Sequence, residues 1–301
     1  MKLALACLAL LALGLPSHAA TLAASPTTLD AAVYAAKSGD IIALPAGDYA
    51  PFRGKSRVGL TFKCAPGAII NGWYWQNGKD LTFDGCTFKP AVYQGFRIDG
   101  VDGLTITNSK FVDTGLKVVN GKRVSVDKTV FLRSSTGVSG THVYGLSVTR
   151  SAFRLSSSDG IQCGGCTDVV IDHNTFDGTE RPGSQHPDFA QFWSLDGVIT
   201  ARVQITDNVA VGNSQGFCSF NGAAGGIEDV YMARNRVWTG MKWAAAFVNG
   251  RRIVMEDNEF RAITGALAQP AIDARMGTVI EFRGKNTING LPITAKQIVL
   301  K

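Results

Sequence analysis

Asp159 and Asp188 stand 29 residues apart, Gln162 and Gln191 stand 29 residues apart, and His186 lies two residues before the second carboxylate. Repetition of a carboxylate and an amide at one offset places like side chains side by side if the chain winds once in that interval. Two adjacent carboxylates suit acid–base work or a hard cation such as calcium, and an imidazole titrates near neutral pH, where a general base is useful. Asp159 and Asp188 also have a plainer reading as turn formers that bond their own backbone. Phe189 occupies a slot filled by glycine in neighbouring repeats, and Trp193 follows an inward-facing residue. Both rings are therefore expected to face outward, where an aromatic face stacks on an apolar partner.

A winding chain must position these groups, and the sequence carries the period of one. Segments of one type recur: Leu81-Thr-Phe-Asp-Gly-Cys-Thr-Phe88, Leu104-Thr-Ile-Thr-Asn-Ser-Lys-Phe111, Val124-Ser-Val-Asp-Lys-Thr-Val-Phe131, Leu146-Ser-Val-Thr-Arg-Ser-Ala-Phe153 and Val169-Val-Ile-Asp-His-Asn-Thr-Phe176. Further copies start at Val203, Val230 and Ile253, giving steps of 23, 20, 22, 23, 34, 27 and 23 residues. Such periods fit the coils of a solenoid, with loop insertions in the long steps. Residues 177–187 account for much of the 34-residue step, and His186 falls in that inserted loop.

Inside each repeat the first, third and eighth positions are apolar and the second and fourth mostly polar, which is strand alternation with one buried face. The eighth position predicts an internal column of phenylalanines. The sixth, ending in Asn174, Asn208, Asn235 and Asn258, predicts asparagines bonded to turn backbone, a structural role. A second strand precedes each repeat, and its outward column reads Arg97, Lys117, Ser139, Gln162, Gln191, Cys218. Two cations followed by amides suit a polyanion's carboxylates and hydroxyls. Lys242 and Arg251 offer further cations from the opposite side.

The ends and the composition set the compartment and partners. Lys2, the apolar run Leu3 to Leu15 and Ser17-His18-Ala19 read as a signal peptide over residues 1–19, followed by one domain over 20–301. That run is too short to cross a bilayer. A periplasmic or secreted, monomeric protein is expected. The net charge is +6 and the pI about 9.0, without any run of basic residues or RNA-binding signature, so acidic glycans are favoured over nucleic acid. Beyond the leader the cysteines are Cys64, Cys86, Cys163, Cys166 and Cys218, an odd number that leaves at least one free thiol. Cys163-Gly-Gly-Cys166 is expected as a small disulfide loop or as buried thiols rather than half of a metal site.

The stretch from Leu29 through Lys37-Ser-Gly-Asp-Ile-Ile-Ala-Leu to Tyr49 resembles the leading segment of pectin-lyase-like proteins. The resemblance implies an all-β, right-handed parallel β-helix of about 9–10 coils, with residues 29–37 as an N-terminal capping helix. It also implies activity on uronic-acid polymers, because the superfamily includes pectate and alginate lyases, chondroitinase B, polygalacturonases and mannuronan C5-epimerases. In a lyase, Arg97, Lys117, Lys242 or Arg251 would neutralise the carboxylate and His186 would take the C5 proton. Asp159 and Asp188 would alternatively hold calcium for the same purpose. His186-Pro-Asp188 is similar to the epimerase Asp-Pro-His motif in reversed order, so no residue roles transfer. Hydrolysis is the least favoured chemistry: an inverting pair needs carboxyls roughly 6.5–9.5 Å apart, and the polygalacturonase signatures are absent. A binding β-helix such as an adhesin is the non-enzymatic alternative.

Overall fold

A computed structural model describes residues 19–90, 95–177 and 187–300. Three sheets of 12, 11 and 12 strands wrap around one core, and all but one strand pairing is parallel. The solenoid has about 12 turns rather than 9–10. The additional turns lie before Leu81, where Phe62 pairs with Phe83 without the full repeat, and after Phe260, where Ile280 pairs with Ile253.

The predicted helix forms over Leu29–Ala35 and buries Leu29 and Val33, one turn apart, against the first coil. It ends earlier than expected because Ala36 is already extended. No described helix is long and apolar enough to cross a membrane. The leader lies outside the described residues, apart from Ala19.

The expected aromatic column exists. Phe88, Phe111, Phe131, Phe153 and Phe176 stack with centroids 4.5 to 4.8 Å apart. The column then loses its rings, because Phe176 pairs with Ala210 and Ala210 with Val237 before Phe260 restores it. The asparagine ladder is present too. Asn208 Oδ1 accepts the Asn174 backbone N–H at 2.9 Å while its Nδ2 donates to the Ile171 carbonyl at 2.9 Å, and the pattern continues through Asn235 and Asn258 to Asn286. Each side chain satisfies backbone groups that a buried turn would leave unpaired.

Of the two expectations for Cys163 and Cys166, buried thiols hold and the disulfide loop does not. Cys64 and Cys86, on adjacent coils, form the disulfide, while Cys163, Cys166 and Cys218 are free and buried.

Candidate functional site

The 11-stranded sheet carries the candidate site, and its register confirms the outward column. Arg97 pairs with Lys117, Lys117 with Ser139, Ser139 with Gln162, and Gln162 with Gln191, which is followed by Cys218. Two rungs precede these. Arg53 pairs with Tyr74 and Tyr74 with Arg97, on the strands Phe52–Lys55 and Trp73–Gln76. The sequence reading missed both: Phe52 follows Pro51 rather than the glycine that opens later strands, and Trp73 was passed over although Gly72 precedes it. The alternation in Phe52-Arg-Gly and Trp73-Tyr-Trp75, spaced one coil apart, was the available signal.

Arg53, Tyr74, Arg97, Lys117, Ser139 and Gln162 line an open groove of about 960 Å³ together with Asp113, Thr114, Ser135 and Thr136. Rungs are about 4.8 Å apart, so the four from Arg53 to Lys117 span about 14 Å. Elsewhere on the surface arginines are largely consumed in ion pairs, as in Arg123 with Asp102, Arg202 with Asp168 and Arg234 with Asp207. In the groove, Arg97 is held by Asp99 at 2.8 Å, and Tyr74 donates its hydroxyl to the same carboxylate at 3.0 Å. Asp113 is clasped by Arg133, which keeps its carboxyl below the usual range. Arg53 and Lys117 are exposed and form no ion pair among the described residues. They are the charges left for a ligand.

The carboxylate pair lies beyond the groove's lining. Asp159 and Asp188 occupy one column, as expected, and Asp159 Oδ1 accepts the Asp188 backbone N–H at 2.8 Å. Asp159 Oδ2 accepts Gln162 Nε2 at 2.6 Å. Both carboxyls are buried, and Asp188 is 0% exposed. Burial first, and the Asp159 charge second, push the Asp188 carboxyl well above the usual carboxylate range. Asp188 is therefore an interior acid shifted toward its protonated form rather than a solvent-facing base. Its two oxygens have no hydrogen-bond partner among the described residues, and neither has Oε1 of Gln215, which pairs with it on the next rung. These oxygen donors match the chemistry of a hard cation such as calcium. Asp159, already bonded to Gln162 and to backbone, would contribute less than expected.

A stability prediction follows with a definite sign. An acid whose folded-state pKa is raised binds more protons folded than unfolded, so it contributes less stability as pH rises above about 4. The loss is about 1.4 kcal/mol per pH unit until the folded-state pKa is reached. Asp188→Asn should raise the melting temperature at neutral pH in the presence of chelator and have little effect near pH 4. Differential scanning calorimetry across pH reads this, and an equal effect at both pH values would reject it.

Two of the remaining expectations are corrected. Phe189 faces the core: it is 1% exposed, with its ring 5.7 Å from Phe176. Strand alternation fails there because Asp188, Phe189 and Ala190 are all buried in succession, and alternation begins only at Gln191. A side-chain carbon on Gly160, one rung away in the same column, would lie 2.7 Å from the Phe176 ring, so this column points inward. Phe189 turns into the interior in the coil where Ala210 leaves the aromatic column short of a ring. Arg251 lies on a 12-stranded sheet and is ion-paired with Glu228. It is not near the groove.

Trp193 is half-buried, packed over Gly164. Lys242 belongs to the groove's sheet side, five rungs past Lys117, with its ammonium 4.4 Å from the Trp243 ring centroid. Beyond Gln191 the column closes, because Cys218, Ala246 and Asp273 are buried and Arg275 clasps Asp273. His186 and most of the loop 177–187 lie outside the described residues. One other cluster of metal-capable groups, Asp172, His173 and Asp207, sits away from this sheet, and Arg234 already occupies Asp207.

The sequence profile described as "Right handed beta helix region" matches residues 69–260, well over half of the chain. The chain belongs to the right-handed β-helix family. No curated protein matches this β-helix in sequence. Solved structures share its fold at low identity. PfbA, a surface adhesin of Streptococcus pneumoniae, superposes with a TM-score of 0.58 and 14% identity over 87% of this chain and 85% of its own. The catalytic domain of an α-1,3-glucanase in complex with nigerose gives 0.54 and 9%, over 96% and 68%. A Family 28 exopolygalacturonase of Yersinia enterocolitica gives 0.52 and 7%, over 91% and 79%.

Proposed function

We propose that this β-helix is an exported, periplasmic or secreted protein that binds a uronic-acid-containing polysaccharide in the groove and cleaves it by β-elimination. One observation carries the reading: Arg53, Arg97 and Lys117 share one column with Tyr74 along an open groove. A linear polyanion matches such a column, because its carboxylates repeat along the same axis as the cations. Enzymes and an adhesin on the same fold make a glycan partner reasonable, although fold alone does not assign a reaction.

In the proposed reaction Lys117, with Arg97, binds the uronate carboxylate and stabilises charge developing on it. A base removes the C5 proton, the C4–O4 bond breaks, the leaving sugar's O4 takes up a proton, and a C4–C5 double bond remains. His186 is the base assigned on sequence grounds. Calcium, held by the buried Asp188 and Gln215, would offset the Asp188 charge in the interior rather than meet the substrate.

Uronate polymers incubated with the protein should gain the ultraviolet absorbance of the unsaturated product. His186→Ala should lower that rate by about 10²–10⁴-fold and leave the melting temperature unchanged. Solvent deuterium uptake without chain shortening would replace this reading with C5-epimerisation. A second reading, binding without turnover, is favoured by one feature: the groove's described lining contains cations, amides and hydroxyls but no histidine. Saturable binding with neither product nor exchange would establish it.

A further inference from the structure

Charge is partitioned along the groove. Its first four rungs present Arg53, Tyr74, Arg97 and Lys117, and the next two present Ser139 and Gln162. Among the described residues the lining there also includes Ser135 and Thr136, both uncharged. Gln162 is not a neutral spacer. A carboxylate offers only acceptors, so the 2.6 Å contact with Asp159 fixes the amide nitrogen toward Asp159 and leaves the carbonyl oxygen on the other side. A sugar hydroxyl can donate to that oxygen. A sugar carboxylate cannot, because it has no proton to give. The uncharged end thus accepts neutral sugars and opposes anionic ones, while the basic end requires anions.

We propose that the ligand is a polysaccharide whose uronate residues are interrupted by neutral sugars. Its carboxylates lie over the stretch from Arg53 to Lys117, and its uncharged residues lie over Ser139 and Gln162. This inference rests on the reading of the groove as an acidic-polysaccharide site. Tyr74 adds a ring between two cations, with the Arg97 guanidinium 6.0 Å from its centroid, so a sugar's apolar face is accommodated between carboxylate contacts. Beyond Gln191 the column is closed by buried residues, which limits the bound segment to the rungs before it.

The test is calorimetric binding of homo-oligouronates of increasing length to the full chain at constant salt. Affinity should rise while the basic rungs fill and then stop rising. Reducing the carboxylates at the end that overlies Gln162 to alcohols should tighten binding by about fivefold or more, as expected when a hydroxyl donor replaces an acceptor-only carboxylate opposite the Gln162 carbonyl. Gln162→Lys should abolish that preference and let affinity climb with further uronates. Ser139→Lys, on the adjacent rung, provides the same reversal if the first variant folds poorly. Affinity that climbs with every added uronate in the unaltered protein, and weakens when distal carboxylates are reduced, would overturn the partition while leaving the acidic-polysaccharide reading intact. Absence of binding by uronate oligomers of any length would overturn both.

Discussion

Phe131→Ala should destabilise the protein by about 3–5 kcal/mol, which corresponds to a fall in melting temperature of roughly 6–20 °C. The ring is 0% exposed and lies midway in the stack, 4.8 Å from Phe111 and 4.8 Å from Phe153. Its removal leaves a cavity bounded by the rings above and below. Those rings cannot collapse into it, because the hydrogen-bonded rungs on either side hold their spacing at about 4.8 Å. Each coil of a solenoid rests on its neighbours, so the damage should centre on the coils around residue 131. Chemical denaturation followed by hydrogen exchange reads both the size and the location of the loss. A cost below about 1 kcal/mol would mean that the column is not the close-packed spine described here.

The second large effect is on binding. The double variant Arg53→Glu, Lys117→Glu should weaken binding of a polyuronate by about 100-fold or more, since each cation–carboxylate hydrogen bond contributes about 1.5–3 kcal/mol and reversal adds repulsion. These two were chosen over Arg97 because neither has an ion-pair partner among the described residues, whereas Arg97 is engaged by Asp99. The melting temperature should therefore change little. The loss should shrink as salt is raised, because exposed charges are screened within about 8–10 Å at physiological ionic strength. Unchanged affinity in low salt would remove the groove from any role in acidic-polysaccharide recognition.

Much of this architecture was legible in the residues. The Phe111, Phe131 and Phe153 column and the Asn208 ladder follow from period and alternation, because in a solenoid sequence neighbours one coil apart become spatial neighbours. For the same reason Asp159 fell beside Asp188 and Gln162 beside Gln191, as their common spacing required. Phe189 was misplaced because parity holds only within a straight strand. Asp188, Phe189 and Ala190 are buried in succession at the start of their strand, and no residue type announces that break in parity. Arg251 was misplaced for a related reason: a solenoid coil has three walls, and the wall a cation joins depends on where turns divide the coil. Arg53 was overlooked because Pro51 stands where later strands have their opening glycine, and Tyr74 was overlooked although Gly72 opens its strand.

What the sequence determined by itself was therefore the winding: its period, its stacked interior and the order of side chains along each column. Those are local properties, set by alternation and repeat length. What only the tertiary structure decided was depth and partnership. Asp188 lies at 0% exposure with its carboxyl pushed upward, while Lys117 stands in solvent at the groove. Exposure and pairing depend on how turns from several coils close over a face, and that closure is set by packing among residues far apart in the chain.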